Sequence, residues 1–125
     1  MTSRTMSKPS KVLQLRVGAP GDALDRFEAA WNRHAEGGKP VSLDVLSFED
    51  LPLLLKTLTV ARWALLRALH EREAGSIYEL AKRIGRDYKN VHTDVTALAE
   101  LGLIEKRADG GIAVAFDIVN ARLEL

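Results

Sequence analysis

The chain contains no cysteine in its 125 residues. That absence excludes disulfides, thiolate metal centres and cysteine nucleophiles, and it fits a reducing, cytoplasmic setting. No apolar run reaches the length of a membrane span. The opening residues, MTSRTMSKPSK, are basic and polar with no apolar core behind them, so a secretory signal is not expected there and a flexible tail over 1–10 is. An excess of either charge is also missing: 18 Lys and Arg against 17 Asp and Glu leave a net charge of +1. A nucleic-acid partner would therefore have to be met by a local arrangement of cations, since the domain as a whole is not basic. No Ser/His/Asp set, Gly-rich phosphate loop or pair of carboxylates stands at a useful spacing, so an enzyme is not expected. His34, His70 and His92 are too scattered for a metal site, and no cofactor is expected.

What is present is a composition 46% hydrophobic and 28% charged, which is that of a globular chain long enough for one compact domain. Lys11–Val17 alternates, with Leu13, Leu15 and Val17 opposite Gln14 and Arg16, which predicts a half-buried strand. After the Gly18–Gly21 break, Asp22 can cap a helix carrying Leu24, Phe27 and Trp31, ended by Gly37-Gly38 and Pro40. Val41, Leu43 and Val45 predict a second strand. A short helix follows from about Phe48 to Lys56, with Pro52 tolerable in its first turn. The N-terminal part, 11–57, thus reads β-α-β-α, a candidate for dimerisation or partner binding.

Thr59 is a cap for the next helix. Val60, Trp63, Leu65, Leu66 and Leu69 make that helix apolar around much of its circumference, so it is expected to be covered on two sides and to stop at Ala74-Gly75. Trp31 and Trp63 are core or dimer-interface candidates. The closing residues, 119–125, alternate again and are expected to be a strand that joins Lys11–Val17 or Val41–Leu46.

Ser76–Gly111 carries the functional signal. Ser76 and Glu79 match a capping box, in which each side chain satisfies the backbone amide of the other residue. Ile77, Leu80, Ala81 and Ile84 face inward and leave Tyr78, Lys82 and Arg83 outside. Gly85 is a C-cap and Asp87 the next N-cap. The following helix, 88–101, turns Val91, Val95 and Leu98 to one side and Lys89, Thr93 and Thr96 to the other, with Asn90 and His92 flanking. The exposed face has one cation and no acid at its tip. These side chains suit a major groove: Lys donates to guanine, Asn bonds adenine bidentately, and a Thr methyl meets thymine. Arg83 and Arg86 surround the helix N-terminus and are candidate phosphate contacts. Tyr88 is either a phosphate contact or an aromatic packed at the core edge. Gly102 ends the helix, Leu103–Arg107 is strand-like, and Asp109-Gly110 signals a hairpin whose tip presents Lys106 and Arg107. The basic N-terminal tail is either a DNA-binding arm or simply a soluble tail.

Two caps, their spacing and the Gly hairpin make residues 59–116 resemble a winged helix-turn-helix of the MarR/ArsR-like kind. The stretch RIGRDYKNVHTDVTALAELGLIEK, with SFEDL upstream, resembles a narrower group of small prokaryotic DNA-binding regulators, some of which are antitoxins encoded beside a toxin. The resemblance implies an α+β fold, a winged helix-turn-helix over 58–118 preceded by the β-α-β-α unit. It also implies transcriptional control, as a repressor, through a recognition helix carrying Lys89, Asn90, Thr93 and Thr96. Such regulators usually bind double-stranded DNA as homodimers, and a cognate toxin is a further implied partner. A winged helix used purely as a protein-interaction module is the alternative of a different class. The cysteine metal site of ArsR proteins is absent, so metal sensing does not carry over.

Overall fold

The computed structural model describes residues 10–18 and 41–123. The tail before Ser10 and the helix expected over Leu24, Phe27 and Trp31 lie outside them. In chain order the described elements are β1 (Ser10–Val17), β2 (Val41–Phe48), α1 (Leu51–Thr57), α2 (Val60–Glu71), α3 (Ile77–Ile84), α4 (Tyr88–Glu100), β3 (Ile104–Lys106), β4 (Ile112–Val114) and β5 (Ile118–Arg122). The fold is α+β. Its chain divides into two units: one runs to Leu54 and resumes at Phe116, and the other is Leu55–Ala115. No helix among the described residues is long and apolar enough to cross a membrane.

The first unit is built on a three-stranded sheet in the order β2-β1-β5, with both neighbours parallel to β1. The alternation in β1 predicts a strand buried on one face. Instead Val12, Leu13, Gln14 and Leu15 are all buried, so both faces are covered. Parallel sheets are ordinarily covered on both faces, and β1 is the central strand of this one. Gln14 is only 2% exposed. Its Nε2 donates to the Leu15 carbonyl at 3.1 Å. The final strand takes the first of its two expected partners, β1. Its entry is set by a clasp: the Asp117 amide donates to the Lys11 carbonyl at 2.7 Å, and the Lys11 amide donates to Asp117 Oδ2 at 3.1 Å.

Helix α1 starts later than Phe48, because Phe48 is still paired in β2, where its carbonyl accepts from the Gly18 amide at 2.9 Å. Asp50 is the cap, with Oδ1 accepting from the Leu53 amide at 2.9 Å. Pro52 falls in the first turn, where its missing N–H costs no helical bond.

In the second unit, Thr59 caps α2 through the Arg62 amide. Leu65, Leu66 and Leu69 are buried, whereas Val60 is 86% exposed, so the covered arc is narrower than the composition of the helix suggests. The helix also ends before Ala74-Gly75. Arg72 turns extended, and Ala74 forms an antiparallel bridge with Ile112. Helices α3 and α4 are joined by a Schellman turn: the Arg86 amide donates to Ala81 and the Gly85 amide to Lys82. That turn needs the left-handed conformation of Gly85, φ 69°. Helix α4 closes the same way, with Leu103 donating to Leu98 and Gly102 to Ala99. Leu80, Val91, Val95 and Leu98 are buried together with Leu103, Ile104 and Ile112 of the hairpin. Each such side chain is worth roughly 1.5–3 kcal/mol of burial, which is what holds the short helices in place.

Strands β3 and β4 pair antiparallel, closed by residues 107–111. The Gly110 amide donates to the Arg107 carbonyl at 3.0 Å and the Arg107 amide to the Gly111 carbonyl at 2.8 Å. Only Gly110 in this turn has positive φ, so the hairpin is a three-residue loop with a glycine bulge.

Candidate functional site

The N-terminus of α4 follows from two adjacent caps. Gly85 ends α3, and Asp87 begins α4 by accepting from the Asn90 amide at 3.3 Å. Over the first turn and a half, Tyr88, Lys89, Asn90, His92 and Thr93 are all exposed. Beyond Thr93 the helix is mixed: Asp94, Thr96, Ala97, Ala99 and Leu101 are each partly covered, and Glu100 is exposed. Thr96, expected on the open face, is partly covered. Its Oγ1 is buried without a hydrogen-bond partner.

Among the described residues, no ion pair or hydrogen bond engages the Lys89 or Asn90 side chains. The Thr93 hydroxyl donates back to the Lys89 carbonyl at 3.0 Å. The Tyr88 ring sits 5.9 Å from that of His92, one turn on, in a tilted arrangement. Tyr88 is thus an exposed aromatic at the helix tip and is not packed into the core.

The arginines expected at phosphates have other tasks. Arg83 reaches back to the C-terminal end of α2. Its Nη1 donates to the Arg72 carbonyl at 2.6 Å, and its Nη2 to the Glu73 carbonyl at 2.9 Å and Glu79 Oε1 at 3.0 Å. It therefore satisfies carbonyls that a helix end leaves without partners. Arg86 pairs with Asp94 at 2.9 Å, and Arg62 of α2 reaches the other oxygen of the same carboxylate at 3.0 Å. Asp94 is 14% exposed, Arg62 19% and Arg86 29%. This bridge ties α2, α4 and the turn before α4 together. Sequence reasoning missed it, because Arg62 and Asp94 are distant along the chain and neither belongs to a local motif.

Glu79 departs from the expected capping box. Ser76 Oγ accepts from the Glu79 amide at 3.0 Å, but the Glu79 carboxylate accepts from the Gly75 amide at 3.1 Å, one residue upstream of the amide expected. That amide, and then Arg83, hold the Glu79 carboxyl below its ordinary pKa.

On the hairpin, Lys106 is exposed. Arg107 makes a bidentate pair with Glu73, at 2.7 and 2.8 Å. Glu73 raises the Arg107 pKa above its ordinary value, first by hydrogen bonding and then by charge. The Arg107 cation is therefore fixed beside the segment that precedes α3. A shallow depression of about 480 Å³ on α3 is lined by Arg72, Tyr78, Glu79, Lys82 and Arg83. Lys82 Nζ lies 5.6 Å from the centre of the Tyr78 ring.

The described chain is thus an α+β protein whose second unit exposes the N-terminal tip of α4 and carries a β-hairpin. The HVO_A0114 family model matches residues 57–121, and the chain belongs to that family. No curated protein and no solved structure matches the chain.

Proposed function

We propose that the protein is a cytoplasmic, sequence-specific DNA-binding regulator, acting as a repressor without enzymatic activity. In this reading residues 55–115 are a winged helix-turn-helix of the MarR/ArsR-like kind, and α4 enters the major groove. The observation that carries the proposal is the exposed tip of α4. Lys89 and Asn90 have uncommitted hydrogen-bonding groups there. In helix-turn-helix proteins the N-terminal residues of the second helix contact the base edges. The nearby acids are already engaged, Asp87 in its cap and Asp94 by two arginines.

Lys89, Asn90 and Thr93 read bases. Tyr88 and the free amides of the first turn hold a phosphate. Lys106 and Arg107 meet the backbone as the wing. Arg83, Arg86 and Thr96 support the structure and are not contacts. The protein binds as a homodimer, with half-sites about one helical turn apart.

The test is selection from a randomised duplex library, followed by anisotropy titration of the selected duplex from 50 to 200 mM salt. Two cationic phosphate contacts per protomer, Lys106 and Arg107, would lower affinity about a hundredfold over that range in a dimer. A salt-insensitive affinity, or no enrichment of any sequence, would refute the proposal.

A further inference from the structure

The shallow depression on α3 gathers positive charge in a chain whose net charge is only +1. Arg72, Lys82 and Arg83 line it, with Tyr78 and a single acid, Glu79. That acid is already engaged, since its carboxylate accepts from the Gly75 amide and from Arg83. Arg83 is in turn committed to the Arg72 and Glu73 carbonyls. Arg72 and Lys82 are exposed, and among the described residues neither side chain makes a hydrogen bond or an ion pair. The Tyr78 ring steadies the Lys82 ammonium from one side, at 5.6 Å, and leaves its N–H donors for another partner. The hairpin borders the same surface. Glu73, the residue after Arg72, holds Arg107 in a bidentate pair.

We propose that Arg72 and Lys82 bind phosphates of the DNA backbone beside the groove that α4 enters, and that they supply affinity without sequence preference. This rests on the reading of α4 as a DNA-binding helix. Two cations with no carboxylate to spare between them call for an anion. When the second helix of such a pair lies in the groove, the first crosses the sugar–phosphate backbone, so the anion that α3 meets is a phosphate and not a base edge. Phosphate contacts set register and strength but carry no sequence information. The near-neutral chain thus meets DNA through a local group of cations that runs from the hairpin onto α3.

The count of contacts makes this testable. Each phosphate neutralised by a cation adds about 0.9 to the log–log salt slope. Arg72 and Lys82 double the number supplied by Lys106 and Arg107, so the fall in affinity from 50 to 200 mM salt grows from about a hundredfold to about ten-thousandfold in a dimer. The variant Arg72→Gln/Lys82→Gln is titrated over that range by anisotropy, on the selected duplex and on a scrambled one. Its slope should be shallower by about 3.6, and Lys82→Gln alone should give half that change. Affinity for the two duplexes should drop by the same factor at each salt concentration, which leaves their ratio at the wild-type value. Both side chains are exposed, so the melting temperature followed by circular dichroism should match that of the wild type. A slope within about one unit of the wild-type value would overturn the assignment while DNA binding stands. A loss confined to the selected duplex would also overturn it, because the residues would then be reading bases. If the wild-type chain enriches no duplex, the DNA-binding reading fails and this inference fails with it.

Discussion

Replacing Asp94 by alanine removes a carboxylate that two arginines share. Arg62 Nε and Arg86 Nη2 lie 3.0 and 2.9 Å from its two oxygens. Without it, two cations are left side by side, each less than a third exposed. Removing one partner of a fully buried ion pair costs about 3–5 kcal/mol, because the remaining charge stays desolvated. Two features bring the figure toward the lower end. Arg62 keeps a hydrogen bond from Nη1 to the Thr57 carbonyl at 2.8 Å. Arg86, the more exposed of the two, can swing into solvent. A loss of about 3 kcal/mol is expected, seen as a fall of roughly 10 °C in melting temperature. Urea unfolding followed by circular dichroism measures it, with an unchanged slope showing that the denatured state is unaltered. Asp94→Asn keeps one acceptor oxygen and should cost about half as much. Arg86→Met leaves Asp94 paired with Arg62 and should cost less than Asp94→Ala. If Asp94→Ala changes stability by less than about 0.5 kcal/mol, the bridge behaves like an ordinary surface pair and its structural role is refuted.

Arg83→Met uncaps the carbonyls at the end of α2 and should destabilise the fold by about 2 kcal/mol, while the salt dependence of DNA binding stays unchanged in chevron-matched, fully folded protein. The depressed pKa of Glu79 gives a contribution to stability that is fully present above its unfolded value, near the ordinary 4.5, and is lost as pH falls through the lower folded value. Glu79→Gln should flatten that acid limb, as read from melting temperature against pH. Glu73→Gln weakens the clamp on Arg107 and removes an acid from the hairpin side. It should strengthen DNA binding, since Arg107 no longer shares its charge with a carboxylate, as read by anisotropy at fixed salt.

What could be read from the amino acids was the chemistry confined to a few neighbours. The caps at Thr59, Ser76 and Asp87 and the glycine turns at Gly85 and Gly102 depend on residues within five positions, and they stand where the pattern puts them. The strand alternation of Lys11–Val17 located β1 but not its surroundings. Its burial on both faces goes with a central place in a parallel sheet, where one neighbour arrives from residue 118. The arginines show the same limit. In the sequence Arg83 and Arg86 look like exposed cations near a helix tip, and Arg107 like one on a hairpin tip. Their real partners are the end of α2, Asp94 and Glu73, the last of these 34 residues away from Arg107. The partial cover of Thr96 was not legible for a related reason, because a helical wheel describes one helix and says nothing of what covers it.

The central claim is that the tip of α4 reads DNA sequence. It is tested most directly by comparing wild-type chain with Lys89→Ala/Asn90→Ala on the selected duplex and on a scrambled one, at the same salt concentration. Both side chains are exposed and uncommitted, so the double variant should melt with the wild type. The account predicts that specific affinity falls at least about 30-fold, since each of the two base-pairing side chains is worth roughly 1–3 kcal/mol, and approaches the affinity for scrambled DNA. Specific binding that survives both substitutions unchanged would contradict it.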